Sequence, residues 1–221
     1  MSVTYNEIRK NEAVRAFMKK GNDNLGVLGF TDHSEAHSGL VAERAARILQ
    51  EFGFSETDQE LAKVAGFMHD IGNSINRKNH AEYGAFLAND ILSTMDISLE
   101  DRITIISAIS HHDESTGGAT DAVSAALIIA DKTDVRRNRV RRNKARAAFD
   151  IHDRVNYAVT SNHMVIDKAN RMIILELEVD ETICTMYEYF DIFLDRMLMS
   201  RSSAEMLQAK FSLMVNGNRI L

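Results

Sequence analysis

Residues 61–73 read LAKVAGFMHDIGN, and this stretch carries the argument for the fold. Leu61, Val64, Ala65 and Met68 recur at spacings of three and four, which is one apolar face of an α-helix. That face runs straight into His69 and Asp70 before Gly72 breaks the helix. An imidazole and a carboxylate are thus delivered to the inward side of a helix end, where polar groups are costly unless something satisfies them.

Working outward, the same grammar repeats. His37, Leu40, Val41, Ala45, Ile48, Leu49 and Phe52 share one helical face, and His33 stands one turn before His37, so both can address the same cavity. His80, Gly84, Leu87, Ala88, Ile91, Leu92 and Met95 define another stripe that begins with a histidine. Ile105, Ile109 and His112 continue it, with the pair His111-His112 where a helix gives way to the polar DESTGG loop. Residues 122–131, AVSAALIIAD, are apolar nearly all round, which predicts a central helix that delivers Asp131. There is no proline, so helices run long and are ended by glycine and polar turns.

After about residue 150 the pattern changes. Ile173, Leu175, Leu177 and Val179 alternate with Ile174, Glu176 and Glu178, a period of two that predicts a half-buried strand. Residues 164–167 are its expected hairpin partner, with 168–171 turning the chain. Ile183, Met186, Tyr187, Phe190, Phe193, Leu194 and Met197 predict an amphipathic helix, and Phe211, Leu213 and Val215 a further strand before an Asn216-Gly217 turn. The fold class expected is mainly α, a helical body over residues 1–150 with a small α+β (β-β-α-β) appendage over 151–221.

A length of 221 residues, 45% hydrophobic and 26% charged, fits an ordinary globular chain. The first thirty residues lack a secretory signal and no run is long enough to span a membrane, so a cytoplasmic protein is expected. Cys184, the only cysteine, reads as an inert core thiol. The net charge of −6 disfavours a surface built to grip nucleic acid. Between Lys132 and Arg146, however, eight basic residues face a single acid, Asp134. This reads as a solvated segment or as a rim that draws in an anion; aromatics for base stacking are absent there.

Six of the eight histidines fall between residues 33 and 112. A lone histidine on an apolar face is usually a hydrogen-bonded core residue. Several of them converging with two acids would leave polar groups that each cost about 1–3 kcal/mol if unsatisfied. A divalent metal is the economical partner, and imidazole with carboxylate suits Fe, Mn, Zn, Co or Ni. His152 and His163 read as surface or packing residues.

The order His37, His69-Asp70, Asp131 resembles the H…HD…D pattern of the HD-domain metal-dependent phosphohydrolases over roughly residues 28–146. HSGLVAERAARIL resembles that family's first metal helix, FMHDIGN its doublet and IIADKTD its last aspartate. NHAEYGAFL and ISHHDE resemble the extra histidine segments of the binuclear branch. The resemblance implies a helical HD bundle. It implies one ion on His37, His69, Asp70 and Asp131 and a second on Asp70, His80, His111 and His112, with His33 placed for an additional one. Fe or Mn ranks ahead of Zn, Co and Ni. Asp70 would bridge the ions, and a water shared by two cations loses its proton near neutral pH, giving a hydroxide for phosphate mono- or diester hydrolysis.

Two departures shape the expected substrate. Many relatives carry HDxGK, whereas Asn73 follows Gly72 here, so Arg77, Lys78, Lys132 and Arg136 are the candidates to contact phosphate, with Asp70 and Lys132 the catalytic pair. The glycine-tyrosine-proline signature of cyclic-dinucleotide phosphodiesterases is missing. The expected partner is a small phosphorylated substrate, nucleotides included, and a homodimer is compatible. The competing readings are a di-iron HD oxygenase and a metal-stabilised module that binds a nucleotide or a protein.

Overall fold

The computed structural model describes residues 3–141 and 149–221. Helices α1 (Tyr5–Lys10) and α2 (Glu12–Val27) open the chain, and α3 (Glu35–Glu51), α4 (Glu56–Met68), α5 (His80–Leu92), α6 (Leu99–Ser110) and α7 (Ala122–Lys132) follow. A 3-10 turn over Ile71–Ser74 joins α4 to α5. Every residue of α7 from Val123 to Ala130 is buried, as its apolar sequence requires, and α3, α4, α6 and α9 (Met186–Met206) all pack on it. The predicted helical faces are the buried ones: Val41, Ala45, Ile48 and Leu49 in α3, and Leu61, Val64, Ala65 and Met68 in α4.

Two glycines set how closely these helices meet. A Cβ on Gly66 would lie 2.8 Å from Cα of Ala42, so α4 can approach the backbone of α3 only because position 66 has no side chain. A Cβ on Gly72 would lie 2.0 Å from the carbonyl oxygen of His80 and 2.4 Å from the amide of Gly84. The turn after the His69-Asp70 doublet is thereby pressed against the first turn of α5.

The C-terminal part contains the expected β-β-α-β order, preceded by α8 (Ile151–Ala158) and extended by a two-residue strand. Strands β1 (Val159–Asp167) and β2 (Met172–Val179) form an antiparallel hairpin, with Val165 opposite Ile174 and Asp167 opposite Met172. α9 is the crossover to β3 (Lys210–Val215), which pairs parallel to β2 with Leu213 beside Leu175. β4 (Asn218–Arg219) returns through Asn216 and Gly217, both at positive φ, the conformation an Asn-Gly turn favours. Ile173, Leu175, Leu177 and Val179 are buried, as their alternation predicts. Tyr189, Phe193 and Met197 of α9 join the same apolar cluster as the helical body. Cys184 is buried, and burial pushes its thiol up to about 11, as suits an inert core residue. Among the described residues no helix is long and apolar enough to cross a membrane.

Candidate metal centre

Five elements converge on one point. His37 comes from the first turn of α3, His69 caps the C-terminus of α4 with Asp70 next to it, His80 opens α5, His112 follows α6 and Asp131 lies in the last turn of α7. Four of the rings are fixed in the same way. His69 Nδ1 donates to the carbonyl of Gly66 (2.8 Å), His80 Nδ1 to that of Arg77 (3.1 Å) and His112 Nδ1 to that of Ile109 (2.6 Å). His37 Nδ1 donates to Asp134 Oδ2 at 2.7 Å. Carbonyls and carboxylates only accept, so Nδ1 carries a proton in each ring and Nε2 is the atom left to bind a metal ion or, without one, a second proton.

Those Nε2 atoms face acids and one another. His37 Nε2 is 3.3 Å from Asp131 Oδ1 and 3.7 Å from Asp70 Oδ2; His69 Nε2 is 3.2 Å from Asp70 Oδ2 and 3.7 Å from Asp131 Oδ1. His80 Nε2 lies 3.6 Å from Asp70 Oδ1 and 3.1 Å from His112 Nε2. Among the described residues, the buried Nε2 atoms of His37 and His69 have no hydrogen-bond partner. Unshared nitrogen and carboxylate lone pairs pointing at each other in a buried site repel unless a cation stands between them, so the donor set fits divalent metal ions. Among the described residues, three sets place their ligand atoms within 4.8 Å of one another: His37, His69 and Asp70; His69, His112 and Asp131; Asp70, His80 and His112. His69, Asp70 and His112 each belong to two of them, so the cluster is continuous.

Electrostatics follow the geometry. Burial opposes ionisation of Asp70, but the His69, His33 and His80 imidazoles outweigh it and hold the carboxyl well below the usual range. Burial likewise opposes charge on Asp131, and Lys132, His37 and His69 overcome it. Burial, reinforced by His69, His80 and Lys132, pushes His112 down to about 3. His69 is the exception: burial works against its charge, yet Asp70 and Asp131 raise it above the ordinary histidine value.

The remaining candidates divide. His33 approaches His37, with ring centroids 5.6 Å apart, but belongs to none of the three sets. Nor does His111, whose Nδ1 lies 2.9 Å from the carbonyl of Ser107 and whose ring is only partly buried. Arg77 Nη1 stands 3.3 Å from His80 Nε2 and 3.4 Å from Asn73 Oδ1, whereas Lys78 is exposed. Lys132 is buried, its Nζ 2.9 Å from Asp131 Oδ2 and 2.6 Å from Glu114 Oε2. Arg136 is bound to Asp134. Arg142, Lys144 and Arg146 of the basic stretch lie outside the described residues.

Sequence reading missed several neighbours. Asp134 orients His37 and is itself held by Arg136 and Arg139; its spacing of three from Asp131 was the available signal. Asp113 Oδ2 lies 3.4 Å from His80 Nδ1. A cleft of about 270 Å³ opens beside the cluster, lined by Phe30, His33, Arg77, Glu114 and Arg139 from the body and by His152, Asn156, Phe193 and Arg196 from α8 and α9. No local sequence pattern pairs those C-terminal residues with the histidine–aspartate cluster.

Residues 35–147 match the HD domain, and with the histidine–aspartate cluster at its centre the chain belongs to the HD domain family. It is 29% identical over 171 residues to an uncharacterized protein of Methanocaldococcus jannaschii, an alignment that covers 67% of this chain and 65% of that one. It is 34% identical over 102 residues to Ribonuclease Y of Deinococcus radiodurans, over 41% of this chain and 16% of the relative. The chain thus spans less than two thirds of the length of either relative. A crystal structure of a predicted HD superfamily hydrolase from an uncultured Thermotogales bacterium superposes with a TM-score of 0.46 at 26% identity, over 59% of this chain and 67% of that one.

Proposed function

We propose that this protein is a binuclear metal-dependent phosphohydrolase acting on a small phosphate mono- or diester, nucleotides included. The observation that carries this reading is the convergence of four Nδ1-protonated imidazoles, Nε2 inward, on Asp70 and Asp131. His37, His69, Asp70 and Asp131 would hold one divalent ion and Asp70, His80 and His112 a second, with Fe or Mn ahead of Zn, Co and Ni. Ions bound there supply Lewis acidity, which acidifies water and neutralises phosphate oxygens.

The chain's own residues do the rest. Asp70 directs one oxygen toward His37 and His69 and the other toward His80, so it joins the two halves of the cluster. Asn73 Nδ2 donates to Asp70 Oδ1 at 2.8 Å and fixes that orientation. Arg77, on the cleft wall and in contact with Asn73, takes the phosphate-contacting part that the lysine of HDxGK plays in the resemblance. Lys132 neutralises Asp131 and Glu114 and acts on the substrate only through them. Residues 1–150 form the catalytic domain in this reading, and 151–221 the subdomain that walls the cleft.

A hydrolysis screen over nucleotides, cyclic nucleotides and small phosphate esters with Mn, Fe, Co, Ni and Mg tests the proposal. Release of phosphate or of a monoester with at least one substrate is expected, and it should persist anaerobically with a redox-inert metal. Fully metallated protein that turns over no ester would sink the reading.

A further inference from the structure

Arg196 stands in α9, outside the segment that matches the HD domain, yet it lines the cleft beside the metal cluster. Its Cζ lies 5.0 Å from the centroid of the Phe193 ring, and Phe193 is itself buried. Its Nε donates to Glu114 Oε1 at 3.2 Å. A guanidinium carries five N–H donors, and among the described residues only this one has a protein acceptor. The side chain is 25% exposed and lines the cleft, and its one hydrogen bond among the described residues uses Nε, not Nη.

The other cleft arginines are more committed. Arg139 is buried and donates to the carbonyls of Asp32 and Asp134. Arg77 spends one Nη on Asn73 and His80. Arg196 is also positioned from the metal side: Glu114 Oε2 meets Lys132 Nζ at 2.6 Å, and that ammonium meets Asp131 Oδ2 at 2.9 Å. Charges alternate along Asp131, Lys132, Glu114 and Arg196, which places a preoriented guanidinium where the cleft begins.

We propose that Arg196 is a substrate-binding residue whose Nη groups take two oxygens of the phosphate in the cleft, with Arg77 as the second donor. The inference rests on the phosphohydrolase reading and extends it. The metal ligands all lie at or before residue 131, and the C-terminal subdomain completes the site by supplying the anion clamp. The planar fork of arginine matches a phosphate edge in a way a lysine ammonium does not.

The test is calorimetric binding of inorganic phosphate to the Mn-loaded full chain, beside KM and kcat on a phosphate ester found in the screen. Loss of a charge-assisted contact predicts that Arg196→Gln weakens phosphate binding and raises KM by about 10- to 100-fold, with a smaller change in kcat and unchanged metal content. Arg196→Lys should recover part of the loss and also serves if the glutamine variant folds poorly. Arg201→Gln, exposed on the same helix, is the control. Glu114→Gln separates direct contact from an indirect effect: the amide oxygen can still accept from Arg196 Nε and keep the guanidinium in place, while the competing negative charge is gone, so phosphate affinity should be equal or higher.

If Arg196→Gln and Arg196→Lys bind phosphate as the parent does while the parent hydrolyses esters, the proposal is overturned and the hydrolase reading stands. If Glu114→Gln loses as much affinity as Arg196→Gln, Arg196 acts only through Glu114 and direct binding is wrong. If the metallated parent binds no phosphate and cleaves no ester, the phosphohydrolase reading itself fails.

Discussion

Asp134 Oδ2 accepts the Nδ1–H of His37 at 2.7 Å across 97 residues of sequence, and it thereby aims Nε2 at Asp70 and Asp131. Carboxylate partners of this kind fix the tautomer and raise the basicity of a ligating imidazole. Asp134→Asn removes the charge while keeping the size, and it should weaken metal binding about 10- to 100-fold. Competition with a fluorescent chelator measures this; an unchanged dissociation constant would mean that packing alone sets the His37 ring.

Lys132 is buried between two acids, its Nζ 2.9 Å from Asp131 Oδ2 and 2.6 Å from Glu114 Oε2. Its ammonium is raised above the ordinary lysine value despite burial, because Asp131 and Glu114 hold it charged. Lys132→Met would strip the largely buried Asp131 of its ammonium and leave Glu114 with Arg196 alone, and breaking such a buried pair costs about 3–5 kcal/mol. The metal-free variant should therefore melt well below the parent. Part of the deficit should vanish on metal loading, since a divalent ion would neutralise Asp131. Chemical denaturation with and without Mn checks both halves, and equal deficits in the two states would contradict the second.

Much of this was legible in the sequence because helical periodicity and ligand chemistry coincide. His37, His69, Asp70, His80, His112 and Asp131 each sit at a helix end or within an apolar stripe, so the pattern that predicts burial also predicts convergence. His111 shows the limit: adjacent residues leave a helix in different directions, and its neighbour alone turns inward. Lys132 shows another, since an ion pair with Glu114 depends on a loop whose path has no periodicity. The β1–β2 hairpin and the 216–217 turn were readable from alternation and turn chemistry. Helices α1 and α8 were not, although Thr4 with Glu7 and Asp150 with Asp153 form capping boxes that mark their starts. The placement of α9 against the cleft depends on tertiary packing, which no local pattern encodes.

Acid should destabilise the metal-free protein. His112 is held at about 3 in the fold and returns to its ordinary value of 6.5 on unfolding, so between those values the unfolded chain binds more protons and stability falls as pH falls. This one group alone therefore lowers stability steadily as pH falls from neutrality toward 5. The buried acids Asp70, Asp131 and Asp134 add a further loss below the ordinary carboxylate range. His69 acts oppositely, because its folded value is raised: its contribution is full below 6.5 and disappears as pH rises through the higher folded value. Urea titrations at pH 7.5, 6 and 5 should show a falling midpoint, and a flat profile would refute the account.

The sharpest prediction concerns how the cluster divides. Asp70 is the acid whose two oxygens reach different histidines, Oδ2 toward His37 and His69 and Oδ1 toward His80. If two ions bind as proposed, Asp70→Ala removes a ligand from each, and both should weaken together, leaving less than one ion per chain at micromolar metal. His80→Ala removes a ligand from one site only, because His37, His69, Asp70 and Asp131 remain, so one ion should stay bound. Hydrolysis should then fall by a factor of at least about 100, since half of the phosphate neutralisation is gone. His112 is harder to divide: it belongs to one set with His80 and to another with His69 and Asp131. His112→Ala should therefore lower stoichiometry at one site and reduce affinity modestly at the other. Elemental analysis after gel filtration, beside hydrolysis rates and a circular dichroism check of folding, reads all three variants. Should Asp70→Ala keep two ions and near-parental hydrolysis, Asp70 does not join the sites, and the binuclear mechanism loses its main structural support.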